Sequence, residues 1–258
     1  MRGTGWHIAS LLAFLLWASI AAAQCALPEL RTDVRPTEGE GPTEITISFI
    51  VSDILGVDDL DQQIEVDMFA RMIWYDPRIS HLKGCRFQRS EVWVPDLYIY
   101  NSSNLRTANV QARDQVVIRE DGSASYRQRF TGNISSYHNL RQFPFDSHDF
   151  EINFGPLNSS IEQLTFRIDN DETWISDRLN IEGWTIQGIA ASTSSVLRQT
   201  DGREVNTGTL TIRAHRNANY YFFRGIMPLA LVVAMSWFIF WIPPARFEFQ
   251  IGLGATSM

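Results

Sequence analysis

The sequence has 258 residues, 45% hydrophobic and 12% aromatic, which is the composition of a folding chain rather than a disordered one. Its net charge of −7 argues against the basic surface that nucleic-acid-binding domains carry, and two cysteines are too few for a disulfide scaffold. No CxxC or CxxH pair suggests a zinc site, and nothing points to a cofactor.

The chain opens with Arg2, an apolar run from Ile8 to Ile20, and Ala21-Ala22-Ala23. A basic start, a short apolar centre and a small-residue exit predict a secretory signal peptide over residues 1–23. Gln24 stands where a lipid-attachment motif would have a small residue, so Cys25 is a poor candidate for a lipid anchor.

Residues 24–219 alternate apolar and polar with a period of two, the signature of half-buried strands. Ile45, Ile47, Phe49 and Val51 share one face, and Ile64, Val66, Met68, Ala70 and Met72 another. Tyr126, Gln128 and Phe130 follow, then Trp184 with Ile186, and Leu210 with Ile212. Asp76-Pro77, Pro95-Asp96, Asp121-Gly122 and Asp201-Gly202 punctuate these runs as turns. The fold class predicted is mainly β, an antiparallel immunoglobulin-like β-sandwich of about ten strands followed by α-helical membrane segments. On the strand Ile64–Met72 the opposite face carries Glu65, Asp67, Phe69 and Arg71, an outward aromatic beside a cation. That pairing reads equally as a contact surface or as an edge covered by a loop.

From Gly225 to Ala245 there are 21 residues without a charge, enough at 1.5 Å each to span ~30 Å of hydrocarbon. Tyr220, Tyr221, Phe222 and Phe223 precede the run, Trp237 and Trp241 lie near its end, and Arg246 follows on the side that positive charge prefers. The membrane region is expected over 220–258, its first helix at about 220–242. FEFQIGLGATSM begins a second apolar segment at about 248, so the sequence is expected to be part of a longer chain.

Five motifs, taken together and in order, resemble the pentameric ligand-gated ion channels (the Cys-loop receptor superfamily), and most closely their bacterial members. MFARMIWYDPRI (68–79) is similar to the family's second strand and its Trp-x-Asp-x-Arg turn, and WVPDLYIYN (93–101) to its Trp-x-Pro-Asp motif and the binding loop beyond. FPFDSHDF (143–150) resembles the signature loop, RNANYYFFRGIMP (216–228) the approach to the first membrane helix, and IGLGATSM (251–258) the start of the pore-lining helix. The disulfide that closes the signature loop in animal members is missing, because Ser136 and Phe150 stand at those positions. Cys25 and Cys85 do not replace it, and their pairing is left open. Asn101, Asn133 and Asn158 match the glycosylation pattern, which matters only in a eukaryotic secretory route.

The resemblance implies that Asp59, Asp146 and Arg216 meet between sandwich and membrane and couple ligand binding to the pore, with Asp58 as an alternative to Asp59. Phe143, Pro144 and Phe145 form a stiff knuckle aimed at the helices. It also implies a ligand site at a subunit interface, with Phe69, Arg71, Arg127 and Arg129 on one face and Tyr100 on the other. Pro156, Leu157 and the aromatic-free stretch Gly188–Gly208 make a full aromatic box for an amine doubtful. Arginines favour an acidic ligand, and the carboxylates with His138 and His148 leave protons open. Glu248, Gly252 and Thr256 are expected at the pore, where a Glu248 ring favours cations, although Pro243-Pro244-Ala245-Arg246 resembles anion-selective members.

The expected partners are identical subunits in a homopentamer, the lipid bilayer, a small agonist or protons, and permeating ions, with no nucleic acid. The expected location is a bacterial inner membrane with the sandwich outside. The competing reading is a soluble or membrane-tethered binding protein that does not conduct. An enzyme built on Asp58-Asp59 or Asp169-Asp171-Glu172 has neither the spacing nor a His/Ser partner to support it.

Overall fold

The structure is a computed structural model that describes residues 25–109, 114–179, 181–238, Trp241 and Gly252. Residues 1–23, expected to be a signal peptide, lie outside the described residues. Two sheets face each other. In the larger, the order is β10 (Trp174–Ile175), β1 (Thr43–Asp58), β2 (Gln63–Tyr75), β7 (Ser123–Ser135), β6 (Gln115–Ile118) and β3 (Arg86–Gln88), with β5 (Ser102–Thr107) also on β7 and β9 (Leu164–Ile168) also on β1. The smaller runs β11 (Trp184–Leu197), β12 (Glu204–Arg216), β8 (Ser147–Gly155) and β4 (Tyr98–Ile99). Twelve strands are described where the turn spacing predicts about ten, because β4 and β10 are two-residue pieces too short to show a period. The pairing is antiparallel except along one edge, where β9 and β10 each run parallel to β1 after the chain crosses between sheets.

The predicted inward faces are the core. Ile45, Ile47, Phe49, Val51, Ile64, Val66, Met68, Ala70 and Met72 are fully buried, against Phe150, Ile152, Phe154, Leu210 and Ile212 from the other sheet. Phe49 and Phe154 meet across the sheets at 4.7 Å between ring centroids. Gly208 lies opposite Phe154, and a Cβ there would come 2.2 Å from that ring, so the close packing requires glycine. Alternation in β1 breaks after Val51. Register shifts between Val51 and Asp53 and between Ile54 and Gly56 turn Ile54 inward, and the strand continues to Asp58.

The family motifs prove to be grips on backbone. Arg78 chelates Asp76 through Nε and Nη2, both at 2.9 Å, and its Nη1 donates to the carbonyls of Arg31 and Val34. Cys25 and Cys85 are joined by a disulfide that ties the same N-terminal stretch to the sandwich. Asp96 accepts from the backbone N–H groups of Leu157 and Asn158, both at 2.9 Å, which fixes the loop after β8 beside β4.

At the other end the chain turns helical as α1 (Ala218–Tyr221), passes through a π turn at Phe222–Ile226, and continues as α2 (Met227–Phe238). Pro228 offers no N–H to the Arg224 carbonyl, and its ring would strike that carbonyl in regular α geometry. The wider turn just before it, where Met227 N–H reaches the Phe222 carbonyl, accommodates this. Residues 218–238 form a helix long and apolar enough to cross a membrane.

The bridge closes a sequence separation of 60, so Cys85→Ser is expected to lower unfolding free energy by about 2–4 kcal/mol. Unfolding free energies from denaturant curves measured with and without dithiothreitol should differ by the same amount. Coincident curves would mean that the N-terminal stretch contributes nothing to stability.

Candidate functional site

Arg216 is the last residue of β12 and is completely buried, among the largest buried side chains in the protein. A guanidinium out of water is tolerated only with its donors engaged. Its Nε donates to Asp146 Oδ1 at 2.8 Å. Nη1 and Nη2 donate to Asp59 Oδ2 and Oδ1 at 2.8 and 2.9 Å, a bidentate pair. Nη1 also reaches the Tyr221 hydroxyl at 3.0 Å, and the Arg216 backbone N–H donates to the Asp146 carbonyl. The alternative acid, Asp58, instead accepts from the backbone of Leu60 and Asp61 and shapes the turn that presents Asp59.

Aromatic faces complete the enclosure. The guanidinium carbon lies 4.2 Å from the Trp184 ring centroid, 5.0 Å from Phe143 and 5.2 Å from Tyr221. Burial alone would raise the pKa of both carboxylates. The Arg216 hydrogen bonds and charge outweigh it, and Asp59 and Asp146 are held below the usual carboxylate range. Two histidines stand behind the acids. His138 Nδ1 is 3.1 Å from Asp59 Oδ1, and His148 Nε2 is 2.6 Å from Asp146 Oδ2. The arrangement joins the β1–β2 turn, the loop before β8, the end of β12 and the first turn of α1 in one charged cluster.

The Phe143–Pro144 peptide is cis, and the knuckle divides its two aromatics. Phe143 packs edge-on against Tyr221 at 5.1 Å, while Phe145 is 72% exposed. A second contact joins sandwich to helix. Glu182 accepts from the Tyr220 hydroxyl at 2.6 Å and pairs with Arg224, and the Gly183 carbonyl accepts from Asn217 N–H at 2.8 Å. Gly183 has φ +80°, and a Cβ there would lie 3.0 Å from the Tyr221 hydroxyl, so the backbone approaches the helix only as glycine.

The expected ligand residues fall on two separate surfaces of the chain. Phe69, Arg71, Arg127 and Arg129 share the outer face of β2 and β7, with Phe69 opposite Arg129 and Arg71 opposite Arg127. Arg129 pairs with Asp67 and lies 5.6 Å over Phe69, and Arg71 reaches Glu172 at 3.2 Å. Arg127 is exposed, and its side chain has no partner among the described residues. Tyr100 is the turn residue just after β4, at the edge of the other sheet, where its N–H donates to the Asn153 carbonyl. Its hydroxyl donates to the Pro156 carbonyl at 2.8 Å, and it lines a cleft of about 390 Å³ with Asn153, Arg198 and Thr207. Glu248 and Thr256 lie outside the described residues, and Gly252 is helical and exposed.

Sequence reasoning missed Trp184, Tyr221, Glu182 and Arg198 as site residues. Counting back along a hairpin centred on Asp201-Gly202 would set Gln187 opposite Arg216; the observed register, Leu197↔Glu204, and the bulge between Ile186 and Gly188 bring Trp184 there instead. Arg198 grips the carbonyls of Pro156 and Ser159 with Nη2, a contact between distant segments that no local pattern encodes.

Arg216→Ala is expected to lower stability by about 3–5 kcal/mol, because it leaves a buried carboxylate unpaired. The folded pKa values of Asp59 and Asp146 are depressed, so their contribution is complete above about pH 4 and is lost as pH falls below it. Unfolding free energy should therefore fall more steeply below pH 4 in the wild type than in Asp146→Asn. Parallel curves would remove this ion pair from the stability account.

A family model described as the neurotransmitter-gated ion-channel ligand binding domain matches residues 25–219. The chain is 24% identical over 234 residues to the gamma-aminobutyric acid receptor subunit epsilon of Homo sapiens, covering 87% of this chain and 46% of that one. It is 26% identical over 239 residues to the subunit gamma-4 of that receptor from Gallus gallus, covering 87% and 51%, and 21% identical over 250 residues to the subunit beta from Lymnaea stagnalis, covering 87% and 48%. The chain spans about half the length of the curated relatives it matches. These relatives are receptor subunits and not enzymes, and the acidic residues weighed for hydrolysis serve turns and ion pairs instead. From the disulfide-bonded start of the sandwich to the approach to the membrane helix, the chain belongs to the Cys-loop family of pentameric ligand-gated ion channels.

Proposed function

We propose that five identical copies of this chain surround a membrane pore, and that a small carboxylate-bearing ligand opens it from the interface between neighbouring sandwiches. The observation that carries the ligand class is the pairing of Arg71 directly across from Arg127. Like charges opposite each other on a sheet cost stability. Glu172 offsets one of them and nothing among the described residues offsets the other. A ligand carboxylate between them would do so. The cleft beside Tyr100 on the next copy supplies the facing wall, with Arg198 at its rim. The relatives named as gamma-aminobutyric acid receptor subunits support the same class, since that ligand joins an amine to a carboxylate.

The reading of transmission rests on the β11–β12 ribbon. Its ladder runs without a break in pairing direction from Leu197↔Glu204, beside the cleft, to Trp184↔Arg216 at the junction. Ligand contact at one end acts on the Arg216 cluster at the other, and the cluster acts on α1. In the pore, five copies of Glu248 make a carboxylate ring that favours cations.

Two measurements test this reading. Calorimetry on the assembled chain in nanodiscs should register γ-aminobutyrate but not propan-1-amine, which lacks only the carboxylate. Arg127→Ala should weaken the binding about 10- to 100-fold, the range expected for a lost hydrogen bond to a charged group. Equal binding of both probes would sink the carboxylate assignment. For the pore, the reversal potential of a full-length receptor in a sodium chloride gradient should follow sodium, and Glu248→Ala should move it toward chloride. A wild-type reversal that follows chloride would overturn the selectivity proposal.

A further inference from the structure

The Arg216 cluster carries more acid than base. Two carboxylates face one guanidinium, so the buried group holds a net negative charge whenever both histidines are neutral. Each carboxylate is shared between the arginine and an imidazole. Asp59 Oδ1 takes Arg216 Nη2 and faces His138 Nδ1, while Asp146 gives Oδ1 to Arg216 and Oδ2 to His148. The two imidazole rings are 5.2 Å apart between centroids, too close for both to carry charge at low cost. His138 is also unfinished. Its Nε2 is buried without a hydrogen-bond partner among the described residues, and so is the nearby Ser136 Oγ.

We propose that His138 and His148 position the two carboxylates on Arg216 and together bind one proton, whose uptake on acidification loosens the hold of the sandwich on the start of the membrane helix. The proton cancels the excess negative charge of the cluster. It also converts an imidazole into a cation that competes with Arg216 for the shared oxygens and repels it. The second ring stays neutral, so the pair titrates as a unit.

Charged and apolar groups from several elements surround the pair. Asp59 comes from the β1–β2 turn, Asp146 from the loop before β8, Arg216 from β12 and Tyr221 from α1. Phe150, and Trp184 from β11, close the apolar walls, with His148 5.5 Å from the Trp184 ring. Asp149, paired with Arg213, lies next to His148 on the exposed side, and His215 is engaged with Ser147 Oγ away from the pair. Burial holds the pKa of His138 below its ordinary value against the pull of Asp59. That sign favours a neutral His138 near pH 7. The proposal rests on junction geometry alone, and its failure would leave the ligand reading untouched.

The test uses the whole chain in nanodiscs and needs no agonist. A protonated imidazole quenches a neighbouring indole, so the Trp184 emission, obtained by subtracting Trp184→Phe, should fall in a one-proton step over about two pH units on acidification. Over the same range, the amides of Asn217–Tyr221 should lose several-fold of their protection, each exchange rate being divided by its intrinsic rate at that pH. His148→Gln and His138→Asn keep a donor near the original nitrogens but cannot titrate. The emission step should vanish in the first variant and shift in the second, and the exchange change should disappear in the double variant. Flat wild-type emission between pH 8 and 5 overturns the proposal. So does a step that survives in the double variant, or a step with no change in exchange. If the variants fail to fold, the wild-type protection profile, corrected for the intrinsic pH dependence of exchange, decides alone, since a merely structural pair would leave protection flat above pH 5.

Discussion

A fully buried guanidinium is the constraint around which the membrane end of this protein is arranged. Arg216 cannot be left unpaired at that depth, and its five donors and two ring faces need partners from places far apart in sequence. Asp59 is delivered by a strand that two bulges lengthen and re-aim, and Asp146 by a knuckle with a cis proline. Trp184 is delivered by the opposing strand of the same ribbon and Tyr221 by the helix itself. The start of the helix is therefore fixed to the sandwich through a side chain in addition to the backbone.

The same device recurs on a smaller scale. Arg78 holds the N-terminal stretch by two carbonyls while Asp76 neutralises it, and Arg198 holds the Pro156–Ser159 loop by two carbonyls while Asp201 neutralises it. In each case a cation satisfies carbonyls that no strand ladder reaches. The more exposed Arg198–Asp201 pair adds little stability by charge alone, and the Asp76 carboxylate is tolerated in the interior because Arg78 neutralises it. Their contribution is to fix loops at the far end of the sandwich and beside the cleft, where the fold has no hydrogen-bonded sheet to do so.

Period-two alternation is sufficient to identify the long strands, because one residue in two must face the other sheet, and every inward face read from β1, β2, β7 and β12 is buried. It fails where the period itself breaks. The bulges after Val51 and the two-residue strands β4 and β10 leave no pattern to count. Within the Arg216 cluster, Asp59, Asp146 and Arg216 could be named only through the family's motifs, since nothing local links residues 157 positions apart. Trp184 and His148 reach the cluster through cross-strand register, and His138, Phe143 and Tyr221 through loops and the helix start; single-sequence reading supplies neither placement. The Cys25–Cys85 bridge was likewise open, because two cysteines permit a bridge without requiring it.

The two ends of the β11–β12 ribbon differ in how firmly they are held. Near the cleft its residues are largely exposed and the tip is secured by Arg198, whereas at the junction Trp184, Ala214 and Arg216 are buried against three other elements. From Gly208 onward β12 is paired with β8 and buries Leu210 and Ile212, so a displacement begun at the tip is carried by the paired strands to the bulge between Ile186 and Gly188. Beyond the bulge, motion must either rotate Trp184 under the guanidinium or carry Arg216 with it. Moving Arg216 means exchanging partners within a cluster whose two carboxylates offer more lone-pair sites than the five guanidinium donors can fill. A packed charged cluster with surplus acceptors has alternative pairings close in energy, so a small push is answered by a change of partners and not by gradual strain.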